Sequence, residues 1–197
     1  MMNSPRYEIR ITGSGGQGVV LASIILAEAA GQFEGLYAAQ SQNYGPEARG
    51  GYSMAEVVIS KEPIDYPFVI SPDILVALNQ EGLNRHKEEI KGDGFIVVDT
   101  SNVVHVPEGR VVKIPITEIA IEETGKSMAA NLVSLGVICG LIKIIKKSSF
   151  ERAISARVPK ATEALNLKAF EAGIKAAKRI KLSKLPPPPS EELIEDL

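Results

Sequence analysis

The order of apolar patterns along this chain predicts an α/β fold: a three-layer α/β/α sandwich around a parallel or mixed sheet, with a Rossmann-like start and a helical C-terminal part. Three observations carry that expectation. The alternating run Tyr7-Glu8-Ile9-Arg10-Ile11 passes through the glycine-dense Gly13-Ser14-Gly15-Gly16-Gln17-Gly18 into a stretch with Val19, Leu21, Ile24, Ile25, Leu26 and Ala29 at helical spacing, which reads as strand, turn and helix. Short continuous apolar runs, Ile74-Leu75-Val76-Ala77-Leu78 and Phe95-Ile96-Val97-Val98, suit strands buried on both faces and alternate with helical stretches up to about residue 125. Beyond that point the pattern is helical.

Taken in order, the first helix should end near Gly31 or Gly35, where glycine can take the left-handed conformation of a C-cap. A short strand, Leu36 to Gln40, follows. The Tyr44 to Gly51 loop is too rich in glycine and proline for regular structure, and Tyr52 to Ile59 returns to strand. Pro63, Pro67 and Pro72 keep the next segment irregular. After the strand at Ile74 to Leu78, a polar helix runs to about Glu89. The strand Phe95 to Val98 ends at Asp99-Thr100-Ser101-Asn102, and a further strand is expected at Arg110 to Ile114, then a helix near Thr117 to Glu123. A buried helix should span roughly Ala129 to Ile145. Ser148-Ser149-Phe150-Glu151 matches a capping box, and Leu167, Phe170, Ile174 and Ala177 give the last helix one apolar face. Pro186 to Pro189 impose an extended segment, followed by an acidic end, Ser190 to Leu197. The expected organisation is one domain over 1–183 and a proline-rich, acidic tail over 184–197.

Composition narrows the function classes. At 197 residues and 45% hydrophobic, the chain can fill one core. A net charge of −2, from 22 basic and 24 acidic residues, gives no footprint for nucleic acid or an anionic membrane, so neither is an expected partner. The single cysteine, Cys139, lies in an apolar setting and builds no zinc or iron–sulfur site by itself. No metal site is expected. The N-terminus shows no signal-peptide pattern, from which a cytoplasmic location is expected.

Gly13, Gly15 and Gly18 satisfy G-x-G-x-x-G, whose glycines let the backbone turn tightly and bring an anion to a helix N-terminus. A dinucleotide site also needs an acid at the tip of the second strand, and that tip reads Gln40-Ser41-Gln42-Asn43. A nucleotide-hydrolase loop needs lysine and a hydroxyl residue after its last glycine, where Val19 and Val20 stand. A phosphate or carboxylate site and a purely structural turn both remain open on spacing alone.

The second loop, Tyr44-Gly45-Pro46-Glu47-Ala48-Arg49-Gly50-Gly51, sets a planar guanidinium beside an acid and an aromatic ring in a backbone that is costly to order. Arg49 would suit a phosphate or carboxylate, or stand as a solvated surface arginine, and Glu47 would orient it or pair with a partner's cation. Asn79, Gln80 and Asp99 end expected parallel strands, where open sheets bind ligands, although such residues also serve as caps and turns. His86 and His105 lack metal-like spacing and read as structural. No serine or cysteine has the setting of a nucleophile, so no residue is assigned a catalytic role.

Ile11 through Gly18, Gln40 through Gly51, Asp73 through Gln80, the helix with Ser127-Met128-Ala129-Ala130-Asn131, and Asn166 through Gly173 together resemble the gamma subunit of the 2-oxoacid:ferredoxin oxidoreductases, over about residues 6–180. The loop at Tyr44 and the run Ile64-Asp65-Tyr66-Pro67 look most like the 2-oxoglutarate type. The resemblance implies a multisubunit enzyme that decarboxylates a 2-oxoacid on thiamine diphosphate and magnesium, passes electrons through [4Fe-4S] clusters to ferredoxin, and forms an acyl-CoA. It places thiamine diphosphate and clusters on alpha and beta partners, with a ferredoxin-like delta subunit as a further candidate partner. For this chain it implies closure of the active site and help in binding coenzyme A rather than chemistry, and an isolated chain without activity. The carried-over interface or ligand positions are Gly13, Gly15, Gly16, Gln17, Gly18, Tyr44, Gly45, Glu47, Arg49, Gly50 and Gly51. Ser14, Asn79 and Gln80 join them from the local reading. A stand-alone nucleotide-binding module or dehydrogenase built on the glycine turn, and a purely architectural subunit, are the alternatives.

Overall fold

The computed structural model describes residues 6–45 and 51–188. Glu47, Arg49 and Gly50, and the acidic end from Pro189 onward, lie outside the described residues.

Among the described residues six strands form one mixed sheet: β1 (Arg6–Ser14), β2 (Tyr37–Tyr44), β3 (Tyr52–Ser60), β4 (Ile74–Ala77), β5 (Phe95–Asp99) and β6 (Val111–Ile114), in the order β2-β3-β1-β4-β5-β6. β1, β4, β5 and β6 are parallel neighbours, whereas β3 runs antiparallel to both β1 and β2. The order departs from a Rossmann unit in one respect. The strand after the first helix is separated from β1 by β3, the returning arm of a hairpin, so the start is Rossmann-like in local form only.

Helix α1 (Val19–Glu28) continues as a π-helical turn, Ala29–Phe33, and Gly35 closes it in the left-handed region at φ 78°. The amide of Leu36 reaches back six residues to the Ala30 carbonyl at 3.0 Å, a wider bond that closes the π-helical turn. α2 (Gln80–His86) is short and extends into a 3-10 turn, Lys87–Glu89. α3 (Ile116–Thr124), α4 (Ala130–Leu141), α5 (Lys147–Arg157) and α6 (Glu163–Ala177) complete the set.

The layers are unequal because the polar spacing of the helices is unequal. α1, α4, α5 and α6 bury Ile25, Leu26, Leu135, Ile138, Phe150 and Phe170 against the face carrying Ile9, Ile11, Val57, Val76 and Val97. The opposite face has a smaller cluster, in which Leu83 of α2 packs on Leu75, Ala77, Ile96 and Val98. Among the described residues no helix is long and apolar enough to cross a membrane.

Three local expectations are corrected. β2 runs to Tyr44 rather than Gln40, because its pairing with β3 continues to Tyr44↔Ser53. α4 stops at Leu141. Ile142 is extended, and the β-branched run Ile142, Ile144 and Ile145 enters the core as irregular chain, with Ile142 and Ile145 buried. The capping box at Ser148 does not form. α5 begins two residues earlier, with Lys146 at its N-cap, and Glu34 serves the helix start instead, accepting from the Lys146 amide at 3.0 Å and the Ser149 hydroxyl at 2.6 Å. Glu151 pairs with Lys147.

α4 and α6 cross at glycines. A Cβ on Gly136 would stand 2.0 Å from the Phe170 carbonyl oxygen, and one on Gly173 would stand 2.1 Å from the Val133 carbonyl oxygen. The two helix backbones therefore touch, at the closest approach helices make.

Candidate functional site: the glycine-turn edge

The C-terminal ends of β1, β2, β4 and β5 and the start of β3 share one edge of the sheet. Gly13 and Ser14 belong to β1 itself, paired with Ser53 and Tyr52 of β3, and the turn proper is Gly15 to Gly18. Gly13 is needed for close approach, since a Cβ there would lie 2.6 Å from the Gln17 side-chain oxygen. Gly16 and Gly18 hold positive φ, 96° and 72°, which a residue with a side chain adopts at a cost.

The turn is braced on every side. The Gly15 amide donates to the Gly51 carbonyl at 2.7 Å, so the glycine turn and the hairpin end are one structure. Gln17 spans the gap to β4: its oxygen accepts from the Ser14 amide at 2.6 Å, and its amide nitrogen donates to the Leu78 carbonyl at 3.2 Å. Asn79 donates to the Ser14 hydroxyl at 2.7 Å and caps α2 by accepting from the Gly82 amide at 2.8 Å. Gly45 closes the hairpin through its amide and the Tyr52 carbonyl, at 2.9 Å, and Tyr44 projects into solvent, 59% exposed.

Gln80 is fully engaged. Its oxygen accepts from the Val104 and His105 amides, and its nitrogen donates to the His105 carbonyl and to Asn84, so it clamps the loop that follows β5. Asp99, fully buried, turns the chain by accepting from the Ser101 and Thr117 amides and from Asn102. Asn79, Gln80 and Asp99 thus act as the caps and turns that the sequence left open for them.

The electrostatics of the edge favour an anion. α1 has Gly18 at its N-cap, no side-chain cap and no acid in its first turn, so its leading amides have no intrahelical acceptor and lie at the positive end of the helix dipole. Asn131, at the start of α4 and buried, reaches the Gly18 carbonyl at 3.5 Å and fills the space a Cβ on Gly18 would need. Because β3 stands between β1 and β2, the end of β2 is not next to the glycine turn as a ribose-binding acid would have to be.

Sequence reasoning missed a polar network below the hairpin base. The guanidinium of Arg10 is buried, bonded to Glu56 at 2.8 Å and to Glu89, and 3.2 Å from His86 Nδ1. His86 Nδ1 also lies 2.9 Å from Glu89, while its Nε2 bonds the Tyr52 hydroxyl. Ser41 donates to Glu56 at 3.2 Å, and Arg85 stacks 4.5 Å above the Tyr52 ring. Burial pushes the Tyr52 phenol up to about 12. Burial also raises the Glu89 carboxyl, but the contacts with Arg10 and His86 outweigh it and hold the group below its usual range. The signal was present in Glu8-Ile9-Arg10, whose alternation marks a second face without saying that the face is covered.

Residues 8–176 match the model of the pyruvate ferredoxin/flavodoxin oxidoreductase family. The chain is 49% identical over 179 residues to the 2-oxoglutarate synthase subunit KorC of Methanocaldococcus jannaschii, covering 89% of this chain and 96% of that one. Its fold superposes with a TM-score of 0.81 on the gamma subunit of a keto/oxoacid ferredoxin oxidoreductase from Geobacter sulfurreducens, at 39% identity over 93% of this chain and all of that one. The same TM-score, at 24% identity, relates it to 34% of a chain of the 2-oxoglutarate:ferredoxin oxidoreductase from Magnetococcus marinus, a likeness of fold.

Proposed function

Because the chain belongs to the pyruvate ferredoxin/flavodoxin oxidoreductase family and is a gamma-type oxidoreductase subunit, we propose that it completes the active site of a 2-oxoglutarate:ferredoxin oxidoreductase and holds the phosphates of coenzyme A at the glycine-turn edge. The observation that carries the reading is the bond from the Gly15 amide to the Gly51 carbonyl. It joins the glycine turn and the hairpin end into one rigid surface beside the uncapped start of α1.

The residues present fit a diphosphate. Gly16 leaves the backbone open to close approach, the uncapped start of α1 offers its leading amides, and Tyr44 supplies an exposed ring for the rim. Arg49 and Glu47, outside the described residues, belong to the same loop in sequence and are proposed to bind with it. Gln17 and Asn79 keep the turn in register with β4 and α2. Coenzyme A, when bound, supplies the thiol that accepts the acyl group. The chain's own residues bind and orient it. Decarboxylation on thiamine diphosphate and magnesium, and electron transfer through [4Fe-4S] clusters to ferredoxin, fall to the alpha, beta and delta-type partners in this reading, since a lone Cys139 holds no cluster.

Reconstitution tests the proposal. The isolated chain should oxidise no oxoacid, and adding it to its alpha and beta partners should restore acyl-CoA formation; undiminished activity of those partners without it refutes the proposal. The anion site is tested by charge at constant shape. Nothing lies within 4 Å of a Cβ on Gly16, so Gly16→Asp and Gly16→Asn carry the same backbone strain and differ in charge. The Asp variant should raise the apparent KM for coenzyme A about tenfold above the Asn variant, as ~1.4 kcal/mol of repulsion would. Equal KM values exclude an anion at this turn.

A further inference from the structure

We propose that His86 and Tyr52 are positioning residues for this edge: His86, from the last turn of α2, holds the Tyr52 hydroxyl and thereby fixes the Gly51 carbonyl to which the Gly15 amide is tied. The inference rests on the reading of the edge as the coenzyme A site.

The connection is short and each link is a named bond. Gly51 accepts from Gly15 at 2.7 Å, and the next residue, Tyr52, opens β3 opposite Ser14. Backbone pairing alone would fix Tyr52 in register, yet its ring is also buried, stacked on the His86 ring with centroids 5.9 Å apart and covered by the Arg85 guanidinium. α2 braces both halves of the edge. Its cap, Asn79, holds Ser14 of the glycine turn, and its last turn holds Tyr52 of the hairpin.

His86 is itself locked in place. Its Nδ1 faces the Arg10 guanidinium from β1 and the Glu89 carboxylate from the 3-10 turn, a donor and an acceptor. In either tautomer, Nε2 is left to bond the Tyr52 oxygen, as donor or as acceptor. The charges around it come from β1 (Arg10), β3 (Glu56), α2 (Arg85) and the 3-10 turn (Glu89), two of each sign, and Ser41 of β2 completes the Glu56 carboxylate. An ion pair as buried as Arg10 and Glu56 contributes little net stability compared with apolar packing of the same volume. What it provides here is a single fixed orientation for His86, and through it for Tyr52.

The test uses the reconstituted complex and separates KM from kcat. Tyr52→Phe, which removes one hydroxyl, and His86→Ala should each raise the apparent KM for coenzyme A about fivefold, the equivalent of one ~1 kcal/mol hydrogen bond. kcat should change less, and the KM for the oxoacid should hold. The double variant should be no worse than the worse single, because both remove the same bond. His86→Gln, whose amide nitrogen can replace Nε2, should recover most of the loss, which general destabilisation would not allow. An unchanged KM for coenzyme A in Tyr52→Phe and His86→Ala, with Gly16→Asp still raising it, overturns the positioning role alone. If Gly16→Asp is also without effect, the coenzyme A reading falls and takes the positioning role with it.

Discussion

Replacing Gly173 by alanine should break the close approach of α4 and α6. The added Cβ would stand 2.1 Å from the Val133 carbonyl oxygen and 2.9 Å from the Val137 nitrogen, both main-chain atoms of α4 that no rotamer change can move. Ordinary contact lies near 3.4 Å, so the two helices must part by roughly 1 Å at the crossing. A gap of that size forfeits about a quarter to a half of the dispersion energy across it. The facing residues include fully buried Val133, Val137 and Phe170. Overpacking of this kind costs about 1–3 kcal/mol, occasionally more, and a rigid obstacle puts Gly173→Ala at the upper end, about 3 kcal/mol. The helix preference of alanine over glycine returns about 1 kcal/mol, leaving a net loss of about 2 kcal/mol. Urea unfolding followed by far-UV circular dichroism measures it, and at this chain length the Tm should fall by roughly 4–8 °C. Gly92→Ala is the control, since a Cβ at Gly92 meets nothing within 4 Å. A Gly173→Ala protein within 0.5 kcal/mol of that control would refute the account of the α4–α6 crossing.

Three further outcomes follow from individual groups. The hydroxyl of Tyr7 is buried without a hydrogen-bond partner, so Tyr7→Phe should stabilise the chain by about 1 kcal/mol in the same urea assay, and a loss of stability would contradict it. Burial raises the Glu34 carboxyl, but the Ser149 hydroxyl and the Lys146 amide and ammonium together outweigh it and lower the group. A lowered folded-state value means stability that is present above the unfolded glutamate range, near pH 4.3, and lost as pH falls below it. Glu34→Gln should therefore cost stability at pH 7 and close the gap to wild type in acid; a gap independent of pH would contradict this. Burial pushes the Cys139 thiol up to about 11, so at pH 8 only roughly a thousandth is thiolate, and iodoacetamide should label the native chain far more slowly than the urea-unfolded one.

β4 and β5 were legible because each is a short apolar run bounded by turn residues, and Ile74 to Leu78 and Phe95 to Val98 fall within a residue of them. The glycine turn was legible for the same local reason. What escaped was decided by partners distant in sequence. Ser148 has the spacing of a cap, but Glu34, more than a hundred residues earlier, takes that role. Gly136 and Gly140 look like interruptions of an apolar run, whereas they are the surface on which α6 rests. His86 sits among polar neighbours and reads as structural with no partner named, and Arg10, Tyr52 and Glu89 enclose it from three different elements. Alternation shows that Glu8 and Arg10 share a face. It does not show that a proline-bracketed loop and α2 will cover that face.

The placing of β3 between β1 and β2 sets an order of events during synthesis. β1 and β3 pair with each other and with their outer neighbours β4 and β2, all of which have emerged once residue 77 has, so the centre of the sheet can close early. The apolar face it then presents, with Ile9, Ile11, Val57 and Val76, has α1 beside it from the start and gains Ile116 and Ala120 of α3, then α4 and α6, only later, the last ending at Ala177. At 5–20 residues per second, those ~100 residues take roughly 5 to 20 s. A sheet that closed early would stay partly uncovered on the ribosome for that interval. The interlocked glycines of α4 and α6 are what finally seal it.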